Sequence, residues 1–248
     1  MSPKILAWDI EMTPLVTYEW SLWPKFISPE KLIKPQEMMS FAAKWVGQKG
    51  MTFRSTFHDG KDGMLEDVRE LLHEADAVVS WNGKDFDTRH VNRELFEAGM
   101  APPSPYKEID LLAAARKRFK FASNKLSHVS TILGLAGKNK VDFDLWVRCM
   151  DEDPKAWATM KRYNKQDVVL LEQIYERMLP WIPNHPNVGL WSGDELDRCP
   201  ACNSTDLTKQ GHAYTQVGKF QRYVCNTCGK WSRSGKRVEG ADIRAVTT

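Results

Sequence analysis

The sequence predicts a mixed α/β domain, a sheet with helices packed on its faces, followed by a small module organised by cysteines. Three strand-like segments stand in succession near the start of the chain. Helical and strand-like patterns then alternate, the element order of a mixed sheet covered by helices. Towards the other end, four of the five cysteines form two Cys-x-x-Cys pairs. With 248 residues, 42% apolar and 27% charged, the chain can bury a sizeable core and has the composition of a soluble globular protein.

Ile5-Leu-Ala-Trp-Asp-Ile-Glu-Met-Thr13 reads as the first strand, a buried apolar run that carries two acids. Asp9 and Glu11, two residues apart, share one face of such a strand. Paired acids repel unless something cationic lies between them, and a divalent metal suits oxygen ligands. Two solvated acids on an edge strand would give the same pattern, but the buried run around them argues against an edge. Thr13 to Pro35 holds four prolines among Tyr18, Trp20, Trp23 and Phe26, which predicts an irregular aromatic excursion beside the acids. Its aromatics suit either stacking on an unpaired base or packing onto the body.

Met39–Val46 and Met51–Phe57 read as the second and third strands, joined by Gly47-Gln-Lys-Gly50. Leu65, Val68, Leu71 and Leu72 have helical spacing, so a helix is expected over Leu65–Ala75. Ala77–Trp81 is a short buried strand, and Asn82-Gly83 turns the chain. Asp87 or Thr88 caps a helix to Ala98, which Gly99 stops. A strand-like Ile109-Asp110-Leu111-Leu112 leads into a basic helix through Lys120. Short helices are expected at Leu126–Leu133, capped by Ser123 or Asn124, and at Asp144–Met150. Pro154 opens the last long helix, Lys155–Met178. Pro180–Pro183 and Asn184–Asn187 form a stiff linker.

Two further constellations carry chemistry. Trp81-Asn-Gly-Lys-Asp-Phe-Asp87 puts acids directly after a strand, where sites on α/β sheets collect. Asp85 and Asp87 compete for that role; an Asp here also suits a helix N-cap, and since one residue serves only one role fully, two acids leave room for each. Tyr163 and Asp167, four residues apart in the last helix, share a helix face. An acid bordering the apolar side of that helix needs a partner, whether a cation or the tyrosine itself.

Cys199-x-x-Cys202 and Cys225-x-x-Cys228, with 22 residues between the inner cysteines, have four-thiolate zinc spacing. Gly229 allows the tight turn after the second pair. Ala213–Val217 and Phe220–Val224 read as a hairpin turning at Gly218-Lys219, so the module resembles a zinc ribbon around one structural Zn²⁺. From Arg198 to Arg237 there are eight basic residues and one acid, although the whole chain carries a net charge of only +3. Tyr214, Phe220, Tyr223 and Trp231 interleave with Lys219, Arg222, Lys230 and Arg233, which suits nucleic-acid contact. Docking to a polymerase or another replication protein is the alternative.

Asp-x-Glu on a first strand, Asn-Gly-x-x-Phe-Asp after a later strand and Tyr-x-x-x-Asp on a late helix resemble, in order, the three exonuclease motifs of the DEDD superfamily. The tyrosine marks the DEDDy branch, which is similar to the proofreading domains of family A and B DNA polymerases. Tyr18-Glu-Trp-Ser-Leu-Trp23 resembles stand-alone phage-type exonucleases of that branch. The likeness covers Lys4 to Ile182. It implies a ribonuclease H-like mixed sheet flanked by helices, with the zinc ribbon as a small C-terminal addition. It also implies that Asp9, Glu11, Asp87 and Asp167 hold two Mg²⁺ or Mn²⁺ ions, Phe86-Asp87 selecting Asp87 over Asp85. Asp9 would bridge both ions and Glu11 serve one. Tyr163 would orient the attacking water, and Met12, Thr13 and Asn82 would contact substrate.

The expected domains are an exonuclease over 1–183, a linker over 184–197 and a ribbon with a basic tail over 198–248. The expected activity is 3′→5′ hydrolysis of single-stranded DNA to 5′-mononucleotides. An RNA 3′ exonuclease is the nearest alternative, and a non-catalytic nucleic-acid adaptor working through the ribbon is the alternative of another class. No signal peptide or membrane span is read, so no membrane partner is expected. The expected location is the cytoplasm, or a host's cytoplasm if the chain is phage-encoded.

Overall fold

The computed structural model describes residues 3–135, 141–243 and 246. Residues 1–2 and 136–140 of the expected exonuclease domain, and residues 244–245 and 247–248 of the expected basic tail, lie outside the described residues. The chain divides into two compact units, one of residues 4–175 and one of Pro3 with the described residues from Glu176 onward. No helix among the described residues is long and apolar enough to cross a membrane.

The first unit is built on a five-stranded sheet. Its strands are β1 (Ile5–Met12), β4 (Met38–Trp45), β5 (Thr52–Ser55), β6 (Ala77–Ser80) and β7 (Lys107–Asp110). The order is β5-β4-β1-β6-β7, with β1 antiparallel to β4 and parallel to β6, so the sheet is mixed as expected. The helices are α1 (Thr56–Glu74), α2 (Asp87–Glu97), α3 (Leu111–Arg118), α4 (Leu126–Ile132), α5 (Asp144–Met150) and α6 (Pro154–Met178).

Alternation along β1 sorts the two faces. Leu6, Trp8, Ile10 and Met12 enter a core with Met64, Leu65 and Val68 of α1 and Val91 and Leu95 of α2. Asp9 and Glu11 fall on the opposite face. There Met39 of β4 packs with Leu145 and Cys149 of α5 and with Trp157, Met160 and Tyr163 of α6. Strand β1 is central, and its acids pair with β4 on one side only, because its pairing with β6 stops at Ala7.

Several elements differ from expectation. Helix α1 begins nine residues before Leu65. Ser55 caps it by accepting from His58 N at 3.2 Å, while Asp59 accepts from Ser55 N at 3.0 Å. Polar residues and the non-helical Gly60 (φ 73°) hide this first turn from any apolar periodicity. Helix α2 is preceded by Phe86 without a side-chain cap, so neither Asp87 nor Thr88 plays that part. Lys125, rather than Ser123 or Asn124, precedes α4. The aromatic excursion contains a small ribbon, β2 (Val16–Thr17) paired with β3 (Leu32–Lys34).

The second unit holds a three-stranded antiparallel sheet of β8 (Leu207–Tyr214), β9 (Gly218–Cys225) and β10 (Trp231–Gly240). The third strand was not expected from the sequence, which predicts only a hairpin. The connection between the first two ends at Val217, and Gly218 already belongs to β9. Val188 N donates to Pro200 O at 2.9 Å and Lys230 Nζ to Ile182 O at 2.6 Å, so the proline-bearing segment is tied to the two cysteine-bearing turns.

One buried carboxylate fastens the first unit. Glu94 of α2 accepts from Met38 N at 2.9 Å and pairs with Lys61 at 3.0 Å and Arg93 at 2.6 Å. Burial would push Glu94 up, but these donors and the Lys61 charge outweigh it and hold the carboxyl below the ordinary range. A depressed carboxylate adds stability above the unfolded-state value and loses it as pH falls. Glu94→Ala is expected to cost about 2–3 kcal/mol in urea unfolding near neutral pH. The gap between the native chain and Glu94→Gln should narrow as pH drops below the usual glutamate range. A pH-independent gap would remove Glu94 from this role.

Candidate active site and cysteine centre

The acids meet where β1 passes under α6. One carboxylate oxygen from each of Asp9, Glu11 and Asp167 lies within 4.8 Å of the others. On β4, Ala42 stands opposite Asp9 and Ser40 opposite Glu11, small residues that leave room on this face. A register shift between Glu11 and Met12 ends the regular pairing just past the acids, and such irregularities re-aim strand ends.

Two side chains that the sequence did not single out hold this group. Asn164 is fully buried. Its Nδ2 donates to Asp9 Oδ2 at 2.8 Å and to Asp9 O at 3.3 Å, and its Oδ1 accepts from Ser40 Oγ at 3.3 Å. Trp146 Nε1 donates to Glu11 Oε2 at 3.2 Å. The Trp146 ring also meets Tyr163 edge-on, with centroids 5.7 Å apart. The signal for Asn164 was present, since a polar residue beside Tyr163 on the inner side of an apolar helix needs buried partners. Trp146 offered none.

Tyr163 is 8% exposed and one helical turn from Asp167. Asp87, 4% exposed, is outside the three-carboxylate group. Pairing of β1 with β6 stops at Ala7, and beyond it Ile10 N donates to Asp87 Oδ1 at 3.1 Å. Asp87 therefore sits against the peptide between Asp9 and Glu11. Burial pushes its carboxyl up to about 7, against the pull of backbone donors and with a further push from Asp110.

The expected substrate contacts are scattered. Met12 is buried in the core. Thr13 N donates to Glu37 O at 2.8 Å and Thr13 Oγ1 accepts from Glu37 N at 2.9 Å, so its backbone N–H is engaged. Asn82 holds a left-handed φ of 75°, and its N–H donates to Asp110 Oδ1 at 3.2 Å. The next residue, Gly83, has no room for a side chain, because a Cβ would lie 2.1 Å from Ser80 Oγ. Beside Thr13 is a cavity of about 380 Å³ lined by Glu37, Met39, Phe57, Lys61 and Trp157. Of the excursion's aromatics, Trp20 is 98% exposed, and Tyr18, Trp23 and Phe26 are also open to solvent rather than packed on the body. Cys149 packs in the core with Tyr163, and burial pushes its thiol up to about 12, leaving it inert.

The donor sets fit metals. Three hard oxygen donors on rigid elements suit Mg²⁺ or Mn²⁺. In the cysteine group, Sγ atoms of Cys199 and Cys228, and of Cys202 and Cys225, are 3.6 Å apart. That is far beyond a disulfide, about 2 Å, and close to the roughly 3.8 Å edge of a tetrahedron with zinc–sulfur bonds of about 2.3 Å. The two knuckles are alike. Gly229 N donates to Cys225 O at 2.9 Å and Asn203 N to Cys199 O at 3.0 Å, both turns reached at positive φ.

A family model named RNase_H_2, of the RNase H superfamily, matches residues 34–179, more than half of the chain. The match includes Asp87, Tyr163 and Asp167 and begins after Asp9 and Glu11. No curated protein matches the sequence. Among solved structures, the fold is similar to that of the family B DNA polymerase from the hyperthermophilic archaeon Pyrobaculum calidifontis. The TM-score is 0.53 and the identity 16%, over 72% of this chain and 25% of that one. The chain thus spans about a quarter of the polymerase's length, and at this identity the likeness is one of fold.

Asn164→Ala is expected to weaken Mn²⁺ binding by about 10–100-fold in titration calorimetry, the usual cost of losing a residue that orients a ligand. Trp146→Phe, which removes one N–H from Glu11, should weaken it less. Unchanged Mn²⁺ affinity in Asn164→Ala would show that Asp9 needs no such support. At the cysteine centre, a strong chelator is expected to abolish hydrogen-exchange protection in β8–β10 while β1, β4 and β6 keep theirs. Retained protection in metal-free protein would contradict a structural metal.

Proposed function

This chain belongs to the RNase H superfamily, and on that premise we propose that it is a metal-dependent 3′→5′ exonuclease that hydrolyses single-stranded DNA to 5′-mononucleotides. The observation that carries this reading is the convergence of Asp9, Glu11 and Asp167 within 4.8 Å, with Tyr163 one turn from Asp167. In this reading residues 1–183 carry the chemistry, 184–197 connect, and 198–248 form a ribbon around one structural Zn²⁺.

Asp9, Glu11, Asp87 and Asp167 would hold two Mg²⁺ or Mn²⁺ ions, which supply water activation and neutralise charge at the leaving oxygen. Asn164 keeps the Asp9 carboxylate turned towards Asp167 rather than splayed by repulsion. Trp146 does the same for Glu11. Tyr163 orients the water by hydrogen bonding through its hydroxyl. The water oxygen bonds to phosphorus as the bond from phosphorus to the 3′ oxygen breaks. That oxygen takes up a proton, leaving a shortened strand with a free 3′ hydroxyl and a 5′-mononucleotide. The exposed Tyr18, Trp20 and Trp23, which follow closely after the acids in the chain, support a single-stranded substrate, since unpaired bases stack on open aromatic rings.

On a 5′-labelled single strand with Mg²⁺, the native chain is expected to give a ladder shortening from the 3′ end, and Asp167→Asn none. Tyr163→Phe should lower kcat about 10–100-fold with little change in KM, because it misplaces the water rather than the strand. A ladder of undiminished rate in Asp167→Asn would sink the assignment. Faster digestion of a matched RNA oligonucleotide would keep the chemistry and transfer the substrate to RNA.

A further inference from the structure

The ribbon sheet has two unlike faces. Strand register places Arg233 of β10 directly opposite Arg222 of β9, Trp231 opposite Val224, and Arg237 opposite Phe220. Directly paired residues share a face, as do alternate residues along each strand. Phe220, Arg222, Trp231, Arg233 and Arg237 therefore lie on one face. Lys219 and Tyr223 of β9 lie on the other, as does Tyr214, paired with Lys219. Lys230 is engaged with Ile182 O. The register thus divides the basic and aromatic residues that the sequence presents as one interleaved set, and it adds Arg237.

On this face the arginines are stacked. The Arg222 guanidinium lies over the Trp231 ring at 4.7 Å and that of Arg233 over the Phe220 ring at 3.9 Å. Each stack runs diagonally across the strand pair. Arg222 is also fixed from β8, its Nε donating to Gln210 O at 3.1 Å. Beside it Gly211 has a φ of 63°, and a Cβ there would lie 3.2 Å from Arg222 Nη2. Arg237 lies along Gly218, where a Cβ would meet its Cδ at 3.2 Å. The glycines make room for guanidinium groups laid flat on the sheet.

Like charges directly across a strand pair destabilise it. Among the described residues no carboxylate forms an ion pair with Arg222, Arg233 or Arg237, although Lys219 on the opposite face pairs with Glu239 at 3.3 Å. All three arginines and Trp231 are exposed. An anion spanning both would relieve the repulsion between Arg222 and Arg233.

We propose that this arginine–aromatic face binds single-stranded nucleic acid, taking its phosphates on the guanidinium edges and its bases on the stacked planes. A guanidinium forms two parallel hydrogen bonds to a phosphate, and bases stack on arginine planes as they do on rings. An acidic peptide would satisfy the charges and leave the stacked planes without a role. The surface belongs to the ribbon, so this inference stands apart from the nuclease reading.

The test is binding of a fluorescein-labelled oligodeoxythymidylate to the full chain, followed by anisotropy over a range of salt concentrations. An Asp167→Asn background guards against digestion, and metal analysis confirms that zinc content is retained. Arg222→Glu and Arg233→Glu are each expected to weaken binding about tenfold and to flatten the salt dependence by about 0.7 per lost phosphate contact. Lys209→Glu makes the same charge change on the opposite face, paired with Tyr223, and should alter affinity less than twofold. Arg222→Lys should fall between, keeping the charge and losing the stack. Equal losses in Lys209→Glu and Arg222→Glu would reduce the effect to net charge and overturn the proposal. So would equal competition by polyglutamate, which would assign the face to an acidic protein partner.

Discussion

Repulsion between carboxylates is the constraint on which the first unit depends. Three of them share a space 4.8 Å across, and two unit charges about 4 Å apart near a protein surface repel by about 4 kcal/mol. Left on flexible supports, such groups would turn away from one another. Here Asp9 and Glu11 stand on the central strand, and Asp167 comes from a helix anchored by its apolar side. Asn164 ties Asp9 to Ser40 of the next strand, so helix and sheet cannot separate without breaking a buried amide network. Glu94 meets the same problem differently, with Lys61 and Arg93 beside it. One carboxylate is neutralised within the fold. Asn164 and Trp146 donate to Asp9 and Glu11 as neutral groups.

Much of this was legible in the sequence because it is local. The period of two along β1, the buried run at Ala77–Ser80 and the four-residue spacing of Tyr163 and Asp167 each need only a few neighbouring residues to be read. The Cys-x-x-Cys pairs are equally local. What escaped depends on packing between distant segments. Trp146 donates to a residue 135 positions away, and nothing near it in the chain signals that bond. Asp87 looks like a helix cap by every nearby rule, yet its carboxylate turns to the backbone of Ile10 where β6 ends. Strand β10 was missed because Ser-Arg-Ser-Gly-Lys-Arg has no apolar alternation; the strand lies at the sheet edge with most of its residues exposed.

The two units solve one physical problem in opposite senses. The first gathers negative charge on a sheet face under a helix. The second spreads positive charge on an open sheet face and supports it with rings, which hold flat guanidinium groups in place without cancelling their charge. In both, glycine or small residues at chosen positions make the approach possible, Ala42 and Ser40 under the acids and Gly211 and Gly218 beside the arginines.

The amide of Asn164 reaches back 155 residues to Asp9. Chains leave the ribosome amino end first, at about 5–20 residues per second. The strand bearing Asp9 and Glu11 therefore emerges on the order of ten seconds before the helix that completes the group. During that interval the acids exist without their third member. A chain cut short by a premature stop before α6 likewise lacks Asp167, the third member of the group. Complete synthesis is built into the chemistry: the carboxylates assemble only when the whole domain has been made.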